Sequence, residues 1–386
     1  MGHGSVSDSG KLDERFDFGL DLSCFFYYVI ALTFTLMMMV TIKEIAQKAE
    51  VSIGTVDRVL HNRGRVSPET VKRVRKIIRQ LDYKPDVYAR NLKLGQNFRF
   101  GIIMPEESQD GWYWKQPAAG MRKALNELQS HRVSGIFFYY DKYNPSSILK
   151  LKRKLKDADL DGLLIAPALM GSFMKLLRQL PENLPYIFID SDLPDLEPLS
   201  IINQDAYHSG RLAAELMTKI VPESGSLLTI NMIPDDYHLS ARVRGFSEYF
   251  EEHKSSSVHV EVTHMATQPA SIFELIARYS DAHPDDFRGV FVTNALTYRV
   301  AQAIQDLSMV PRPALIGYDL IESNAKWLER GVIDFIISQR PDMQGYHGIY
   351  SLYRHILLNE KVEERMVIPL DIISKENMVY HYPYKN

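Results

Sequence analysis

The stretch that determines the fold of the first domain is TIKEIAQKAEVSIGTVDRVL, residues 41–60. Thr41 with Glu44 three residues later is a capping-box pattern, and apolar residues then recur at helical spacing. Ser52 can cap a second helix that runs to about Leu60. The pattern therefore predicts a helix-turn-helix, whose second helix can enter the major groove of DNA.

A third helix follows in SPETVKRVRKIIRQLDY, with Ser67 as its cap and Pro68 at its first helical position. Its apolar stripe consists of Val71, Val74, Ile77, Ile78 and Leu81. Residues 41–95 carry thirteen Lys or Arg against six Asp or Glu, a net charge of +7, whereas residues 96–386 carry thirty against thirty-seven, −7. This asymmetry favours a DNA partner for the first module over a helix bundle whose charges are merely solvated.

From Phe98 onward, short apolar runs alternate with amphipathic helical stretches, as in FRFGIIMP followed by GMRKALNELQ. Such alternation is typical of mainly parallel sheets with helices on both faces. The apolar runs are too numerous for one sheet, and 386 residues with 45% hydrophobic content can bury more than one core. We therefore expect an all-helical domain followed by a two-lobed α/β core.

Ligands of open parallel sheets bind beyond the carboxyl ends of the strands. Polar residues follow several apolar runs: Glu106, Glu107, Asp190, Asp192, Asn203, Asp205, Asp235, Asn294, Asp319 and Gln339. One such residue is more often a loop cap, but their repetition at strand ends favours a binding cleft. In the loop DGWYWKQP, Trp112, Tyr113 and Trp114 either pack under the loop or offer a ring face on which a sugar can stack.

The sequence lacks the motifs of several enzyme classes. It has no G-x-x-x-x-G-K-[ST] phosphate loop, no G-x-G-x-x-G after a strand, no H-E-x-x-H and no G-x-S-x-G elbow. His347 and His355 would lie more than two helical turns apart, too far to share a metal ion. The single cysteine, Cys24, excludes an intrachain disulfide. We therefore predict a non-enzymatic protein without a cofactor or metal.

The segment VTIKEIAQKAEVSIGTVDRVLHNRGRVSPETVKRVRKIIRQLDYKPDVYARNLKLG, residues 40–95, resembles the whole DNA-binding segment of the lactose-repressor (LacI/GalR) family of bacterial transcription regulators. The resemblance implies that Ile53, Gly54 and Arg58 face bases and that Thr55 holds a phosphate. Arginine suits guanine O6 and N7, and isoleucine can touch a thymine methyl group.

One position departs from the family pattern, because Asp57 stands where Ser is usual. This carboxylate must pair with Arg58 or His61, or accept a hydrogen bond from a cytosine N4. The resemblance also implies a hinge helix whose Leu92 wedges into the minor groove. The candidate DNA-binding residues are Thr41, Ser52, Ile53, Gly54, Thr55, Arg58, His61, Asn62, Arg90, Leu92 and Lys93.

The rest of the chain resembles, more loosely, the sugar-binding core of the same family, which is built like periplasmic type I sugar-binding proteins. The segments FIDSD, SARVRGF, VTN, IGYD and SQRPDMQG carry the match, and the ligand-contact positions it implies are Asp190, Arg242, Asn294, Asp319 and Gln339. Arg244 is the second choice for the arginine. Ala295 and Leu320 stand where the family more often has Asp, so the resemblance implies different ligand contacts in detail.

The resemblance implies a ligand-responsive, sequence-specific DNA-binding transcription regulator that senses a sugar or sugar derivative. The near-palindromic operators of that family imply a homodimer. We expect the protein to be cytoplasmic and nucleoid-associated. The alternative is a membrane-tethered or exported sugar-binding protein that uses residues 22–40 as its anchor.

Residues 22–40 are uncharged and long enough to span a bilayer. The segment before them is acidic and no small-residue cleavage site follows, unlike a signal peptide. Our hypothesis is that residues 1–38 are an upstream extension, with translation starting at Met37, Met38 or Met39; a membrane anchor and a buried or partner-binding helix remain the alternatives.

The expected domain organisation is an extension at 1–39, the helix-turn-helix domain at 40–84, a hinge at 85–97 and a core at 98–386. Within the core, we expect lobe 1 at about 98–203 and 340–360 and lobe 2 at about 204–339 and 361–386.

Overall fold

The computed structural model describes residues 40–60, 64, 66–81, 96–232, 236–253, 258–264 and 269–381. The predictions for residues 1–39, for His61 and Asn62, and for the hinge residues Arg90, Leu92 and Lys93 lie outside these ranges. The chain divides into two compact units, Met1–Asp86 and Val87–Asn386. None of the helices described is long and apolar enough to cross a membrane.

The described residues of the first unit form three helices: α1 (Ile42–Lys48), α2 (Ile53–Leu60) and α3 (Pro68–Gln80). The capping box predicted for α1 is confirmed, because the Glu44 N–H donates to Thr41 Oγ1 and the Thr41 N–H donates to the Glu44 carboxylate. Ser67 caps α3 by accepting from the N–H of Thr70. The three helices enclose a small core of Ile45, Ala46, Ala49, Val56, Val59 and Val74.

The second unit contains two six-stranded sheets. The first has the order β11-β5-β4-β3-β1-β2, with β1 at Phe98–Pro105, β2 at Val133–Tyr140, β3 at Gly162–Ile165, β4 at Tyr186–Ile189, β5 at Ser200–Asn203 and β11 at Arg365–Val367. The second has the order β12-β10-β9-β8-β6-β7, with β6 at Gly225–Asn231, β7 at Val258–His264, β8 at Phe287–Val292, β9 at Ala314–Tyr318, β10 at Phe335–Ser338 and β12 at Asp371–Ile373. Only β12 runs antiparallel to its neighbour in these sheets.

Helices cover both faces of each sheet, as the strand–helix alternation predicted. Lobe 1 carries α4 (Gln109–Trp112), α5 (Lys115–Glu127), α6 (Pro145–Leu149), α7 (Leu151–Lys156), α8 (Met170–Leu177) and α14 (Pro341–Ile356). Lobe 2 carries α9 (Ala206–Ile220), α10 (Tyr237–Glu252), α11 (Pro269–Ala282), α12 (Thr297–Asp306) and α13 (Glu322–Glu329). Successive strand residues such as Ile102 and Ile103 are fully buried in different core clusters, because adjacent side chains point to opposite faces.

The chain passes between the sheets three times, after β5, after β10 and between β11 and β12. The expectation that everything from 361 onward belongs to lobe 2 is wrong for β11, which pairs in parallel with β5 in the first sheet. The Ile201 N–H donates to the carbonyl of Glu364, and the Ile368 N–H donates to that of Asn203. These bonds satisfy the outer edge of β5, whose backbone groups would otherwise lack partners.

Glycines bring the backbones of α9 and α10 into direct contact. A Cβ at Gly210 would lie 2.0 Å from the carbonyl oxygen of Arg242, and one at Gly245 would lie 2.0 Å from that of Tyr207. In lobe 1, Gly120 makes the same kind of contact between α5 and α14. These close approaches determine where α10 presents the Arg242 side chain.

Replacing Gly210 by Ala is expected to lower the free energy of unfolding by about 1–3 kcal/mol, because the added methyl group forces α9 and α10 apart. Chemical denaturation of the full chain measures this change. The control is Gly171→Ala on α8, where the added Cβ meets no atom within 4 Å. That substitution should leave stability unchanged or raise it by up to about 1 kcal/mol, and equal losses in the two variants would contradict the helix-contact explanation.

Candidate functional site

Helix α2 exposes the surface that the sequence predicted to read DNA. Val56 and Val59 are buried against α1 and α3 and orient the helix, so the opposite face, with Gly54 and Arg58, is exposed to solvent. At its first turn Ile53 is 54% exposed, although isoleucine is usually buried. An exposed apolar side chain beside an exposed arginine suits a base-contacting surface.

Two predicted DNA contacts also act as helix caps. The Ser52 hydroxyl accepts from the Thr55 N–H at 3.1 Å and lies 2.9 Å from the Thr55 hydroxyl. Thr41 is exposed and its hydroxyl accepts from the Glu44 N–H at 3.3 Å. Each hydroxyl therefore stabilises the start of a helix and also lies at the surface of the unit.

In the second unit, four of the predicted ligand contacts and Tyr113 form one buried hydrogen-bonded string between the lobes. The Tyr113 hydroxyl donates to Asp190 Oδ1 at 2.5 Å and accepts from Gln339 Nε2 at 2.9 Å. Gln339 Nε2 also donates to Asp319 Oδ2 at 3.2 Å, and Arg242 Nη2 donates to Gln339 Oε1 at 3.2 Å. Tyr113 and Asp190 belong to lobe 1, whereas the other three belong to lobe 2, so the string crosses the cleft.

Of the two candidate arginines, Arg242 lies in the cleft and Arg244 does not. The Arg242 side chain is only 1% exposed, donates to the Thr293 carbonyl at 2.6 Å and lies 3.7 Å from the ring centroid of Tyr318. The Arg244 side chain is 60% exposed and lies near Glu248 on the outside of α10. The difference follows from helix geometry, since residues two apart point in different directions.

Asp190 and Asp319 leave their strands with a left-handed backbone, with φ of 69° and 61°. Aspartate tolerates this region better than most residues. Gln344, which was not predicted from the sequence, stabilises the bend at Asp190. Its Oε1 accepts from the Asp190 N–H at 2.8 Å, and its Nε2 donates to the Gln339 carbonyl at 3.0 Å. A polar residue on the buried face of a helix is the sequence signal that could have identified it.

Several buried polar atoms on α10 and just after the carboxyl ends of β5, β8 and β9 have no hydrogen-bond partner among the residues described. They are Nε of Arg242, Nδ2 of Asn294, Oδ1 of Asp319 and both amide atoms of Gln204. Because buried polar groups are normally paired, this cluster points to a site for a polar ligand. It contains donors and acceptors, so a hydroxyl-bearing ligand can satisfy both kinds. Gln204 was missed, although it directly follows β5 at the carboxyl end of that strand.

The three aromatic residues predicted to stack on a sugar are in three different environments. Trp114 is 1% exposed within the lobe 1 core, and its indole N–H donates to Asp110 Oδ2 at 2.8 Å. Tyr113 packs edge-on against Trp114, with ring centroids 4.9 Å apart, and uses its hydroxyl in the string. Trp112 is 59% exposed. Of the two tryptophans, therefore, Trp112 has the accessible ring, and sugar stacking stays a prediction.

Charged side chains that the sequence did not single out are also buried here. Lys142 lies between Asp110 and Asp236, at 3.1 and 3.7 Å, and His238 lies between Asp236 and Asp190, at 2.7 and 3.8 Å. Lys142 follows β2, where a lysine would ordinarily be solvated, so its position in the sequence gives no warning of burial.

Burial raises the pKa of Asp319 to about 7. The Arg242 charge opposes this rise, the Asp190 charge adds to it, and the hydrogen bond from Gln339 opposes it. Near neutral pH the carboxyl therefore exists partly as the neutral acid, which can donate as well as accept a hydrogen bond.

Two family models match the chain. Residues 41–86 match the bacterial regulatory proteins of the lacI family, and residues 100–361, more than half of the chain, match the periplasmic binding protein domain. The chain belongs to the periplasmic binding protein domain family through residues 100–361, and its residues 41–86 form a lacI-family domain. This result confirms both resemblances that the sequence suggested, together with the fold class.

Relatives of this chain include HTH-type regulators. MalR of Streptococcus pneumoniae is 28% identical over 183 residues, which cover 47% of this chain and 54% of MalR. The sucrose operon repressor of Klebsiella pneumoniae is 28% identical over 187 residues, 48% of this chain and 52% of the repressor. The chain thus spans about half the length of these curated relatives. A putative LacI transcriptional regulator from Bacteroides fragilis shares the fold, with a TM-score of 0.69 and 24% identity over 74% of this chain and 100% of its own.

The raised pKa of Asp319 predicts a pH dependence of stability. Between its usual pKa of 3.8 and about 7, the folded chain keeps a proton that the unfolded chain has lost. The contribution of Asp319 to the free energy of unfolding is therefore fully present below the lower value, falls as pH rises through this window and is constant above it. Asp319→Asn, which cannot ionise, should remove this part of the slope in urea melts between pH 4.5 and 8.

The matched control is Asp157→Asn at the C-terminal end of α7, where the side chain is 68% exposed. It should retain the wild-type slope. If the Asp319→Asn chain retained that slope as well, the carboxyl of Asp319 would not be the group responsible.

Proposed function

We propose that this chain is a ligand-responsive, sequence-specific DNA-binding transcription regulator, without enzymatic activity or cofactor, that senses a sugar or sugar derivative. The observation that carries the proposal is the surface of α2. Ile53, Gly54 and Arg58 face solvent there, while Val56 and Val59 anchor the opposite side of the helix. That surface combines a guanidinium group, an apolar side chain and a residue without a side chain at the helix start, as major-groove reading requires.

The electrostatics of the first module support a DNA partner. Its net charge of +7 over residues 41–95 contrasts with −7 over residues 96–386, so attraction to phosphate is local to the first module. Thr41, Ser52 and Thr55 have surface hydroxyls that can contact phosphates at the helix starts. We therefore assign base reading to Arg58 and Ile53 and phosphate contacts to the residues around them.

The cleft supports a hydroxylated ligand. Its unpaired donors and acceptors, on Arg242, Asn294, Asp319 and Gln204, require a ligand with both kinds of group. A sugar meets this requirement, and one relative is named a sucrose operon repressor. Asp190, Gln339 and Tyr113 would then orient the ligand through the existing string.

Ligand control of DNA binding requires that the ligand favour one arrangement of the lobes over another. In the proposed regulator, the three passages between the sheets transmit a change at the cleft, and the hinge at 85–97 links it to the helix-turn-helix domain at 40–84. We propose a cytoplasmic homodimer on near-palindromic operator DNA, with Leu92 of both chains in the minor groove.

Arg58→Ala is expected to weaken specific DNA binding by about 1–3 kcal/mol, the value of a good bidentate base contact. A duplex selected from a randomised pool with the wild-type chain serves as the probe, and fluorescence anisotropy at constant salt measures affinity. Arg178→Ala is the control, because it removes an equal charge from an exposed site on the core. Unchanged affinity in Arg58→Ala would refute the base-reading role, and failure to select any duplex would refute the function.

A screen of sugars, sugar phosphates and purines should find a sugar that raises the melting temperature of the wild-type chain, because binding to the folded state stabilises it. Asn294→Ala should reduce that shift, since it removes a buried amide left free for the ligand. Asn144→Ala, at the exposed start of α6, should leave the shift unchanged. A hit confined to purines would contradict sugar sensing while leaving DNA binding intact.

A further inference from the structure

A second set of buried contacts crosses between the lobes, beside the hydrogen-bonded string. The Lys142 ammonium lies 3.1 Å from Asp110 Oδ2 and 3.7 Å from Asp236 Oδ2. Asp110 and Lys142 follow β1 and β2 in lobe 1, whereas Asp236 precedes α10 in lobe 2. These three residues, the Lys142 bridge, therefore join one lobe to the other through a single cation.

Burial makes the Lys142 bridge energetically important. The exposed fractions of Asp110, Lys142 and Asp236 are 6%, 5% and 1%. Burial opposes the charge of Lys142, but the carboxylates of Asp110 and Asp236 outweigh it, so the pKa of Lys142 is raised. Burial likewise opposes the charge of Asp236, and His238 and Lys142 together hold its pKa below the usual value. A buried ion pair that loses one partner leaves the other charge uncompensated, which is strongly unfavourable.

The backbone next to Asp110 is strained, and lobe 2 supports it. Asp110, Gly111 and Trp112 have consecutive φ values of 52°, 70° and 73°. Residues other than glycine rarely adopt this region and need surrounding contacts to stay there. A Cβ at Gly111 would lie 2.7 Å from Ile321 and 3.0 Å from Tyr298, both in lobe 2. The turn therefore keeps this shape against the surface of the opposite lobe.

Side chains of lobe 1 hold the Asp110 carboxylate in the turn. It accepts from the Trp114 indole at 2.8 Å and from the Tyr143 hydroxyl, and it pairs with Lys142. Of Trp114, Tyr143 and Lys142, Lys142 is thus the one that pairs with both Asp110 in the turn and Asp236 of lobe 2. Separation of the lobes would remove the Asp236 contact and the packing of Gly111 at the same time.

We propose that Lys142 is a positioning residue that holds the two lobes together, through Asp110 in the strained turn and Asp236 across the cleft. When the lobes part, Lys142 keeps Asp110 and loses Asp236, and the turn loses its support. The bridge therefore sets how readily the cleft opens, whichever ligand enters it. This role goes beyond the proposed function and does not rest on the chemistry of the ligand.

Hydrogen–deuterium exchange of the full chain tests the bridge, because it reports each lobe separately. In Lys142→Met and in Asp236→Asn, the backbone amides of 109–114 in lobe 1 and of 236–242 in lobe 2 should exchange about tenfold faster or more. Lys142→Met leaves two buried carboxylates without their cation, and Asp236→Asn removes the partner of that cation in lobe 2. The double variant should exchange no faster than the more affected single variant, because both changes break one contact.

Two comparisons exclude a merely structural effect. Strands β3 and β8 lie inside the separate lobes and should keep their wild-type exchange, and Lys175→Met on the exposed face of α8 should change nothing. Unchanged exchange at 236–242 in Lys142→Met, or additive effects in the double variant, would overturn the proposal. If Lys142→Met also speeds exchange in β3 and β8, the deciding test is Asp236→Asn, because this variant leaves the Lys142–Asp110 pair intact. Wild-type exchange at 109–114 in Asp236→Asn would then overturn the proposal.

Discussion

The hydrogen bond between the Tyr113 hydroxyl and Asp190, extended through Gln339 to Asp319 and Arg242, is the interaction on which the cleft depends. A buried carboxylate is costly unless donors reach it. The string supplies such a donor within each lobe, from Tyr113 to Asp190 and from Gln339 to Asp319. The hydrogen bond from Gln339 to the Tyr113 hydroxyl then links the two lobes. The atoms it leaves unpaired then mark where a ligand has to complete the arrangement.

The architecture places these residues through close backbone contacts. Parallel strands bring Asp190 and Asp319 to the carboxyl ends of their sheets, and left-handed bends turn the chain immediately afterwards. Arg242 reaches the string because the glycines of α9 and α10 let the two helix backbones touch. Small residues far from the chemistry therefore control the geometry of the cleft as strictly as the polar residues in it.

Much of the site could be read from residue types at strand ends. Asp190, Arg242, Asp319 and Gln339 were identified from short motifs and lie together in the structure. Lys142 could not be identified in this way, because a lysine after a strand is usually solvated. Gln344 lies within a helix and not at a strand end, so only its place on the buried face of that helix distinguishes it. Their roles depend on which elements cover them, and that information is distributed along the whole chain.

The sequence by itself determined the helix-turn-helix, its caps and the strand–helix alternation, because these depend on neighbours a few residues apart. It also indicated a basic module before an acidic core. Only the tertiary structure decided that β11 joins the first sheet, that Trp112 is exposed while Trp114 is buried, and that Lys142 bridges two carboxylates. These outcomes depend on packing between residues distant in sequence, where burial changes the cost of every charge and every unpaired polar group.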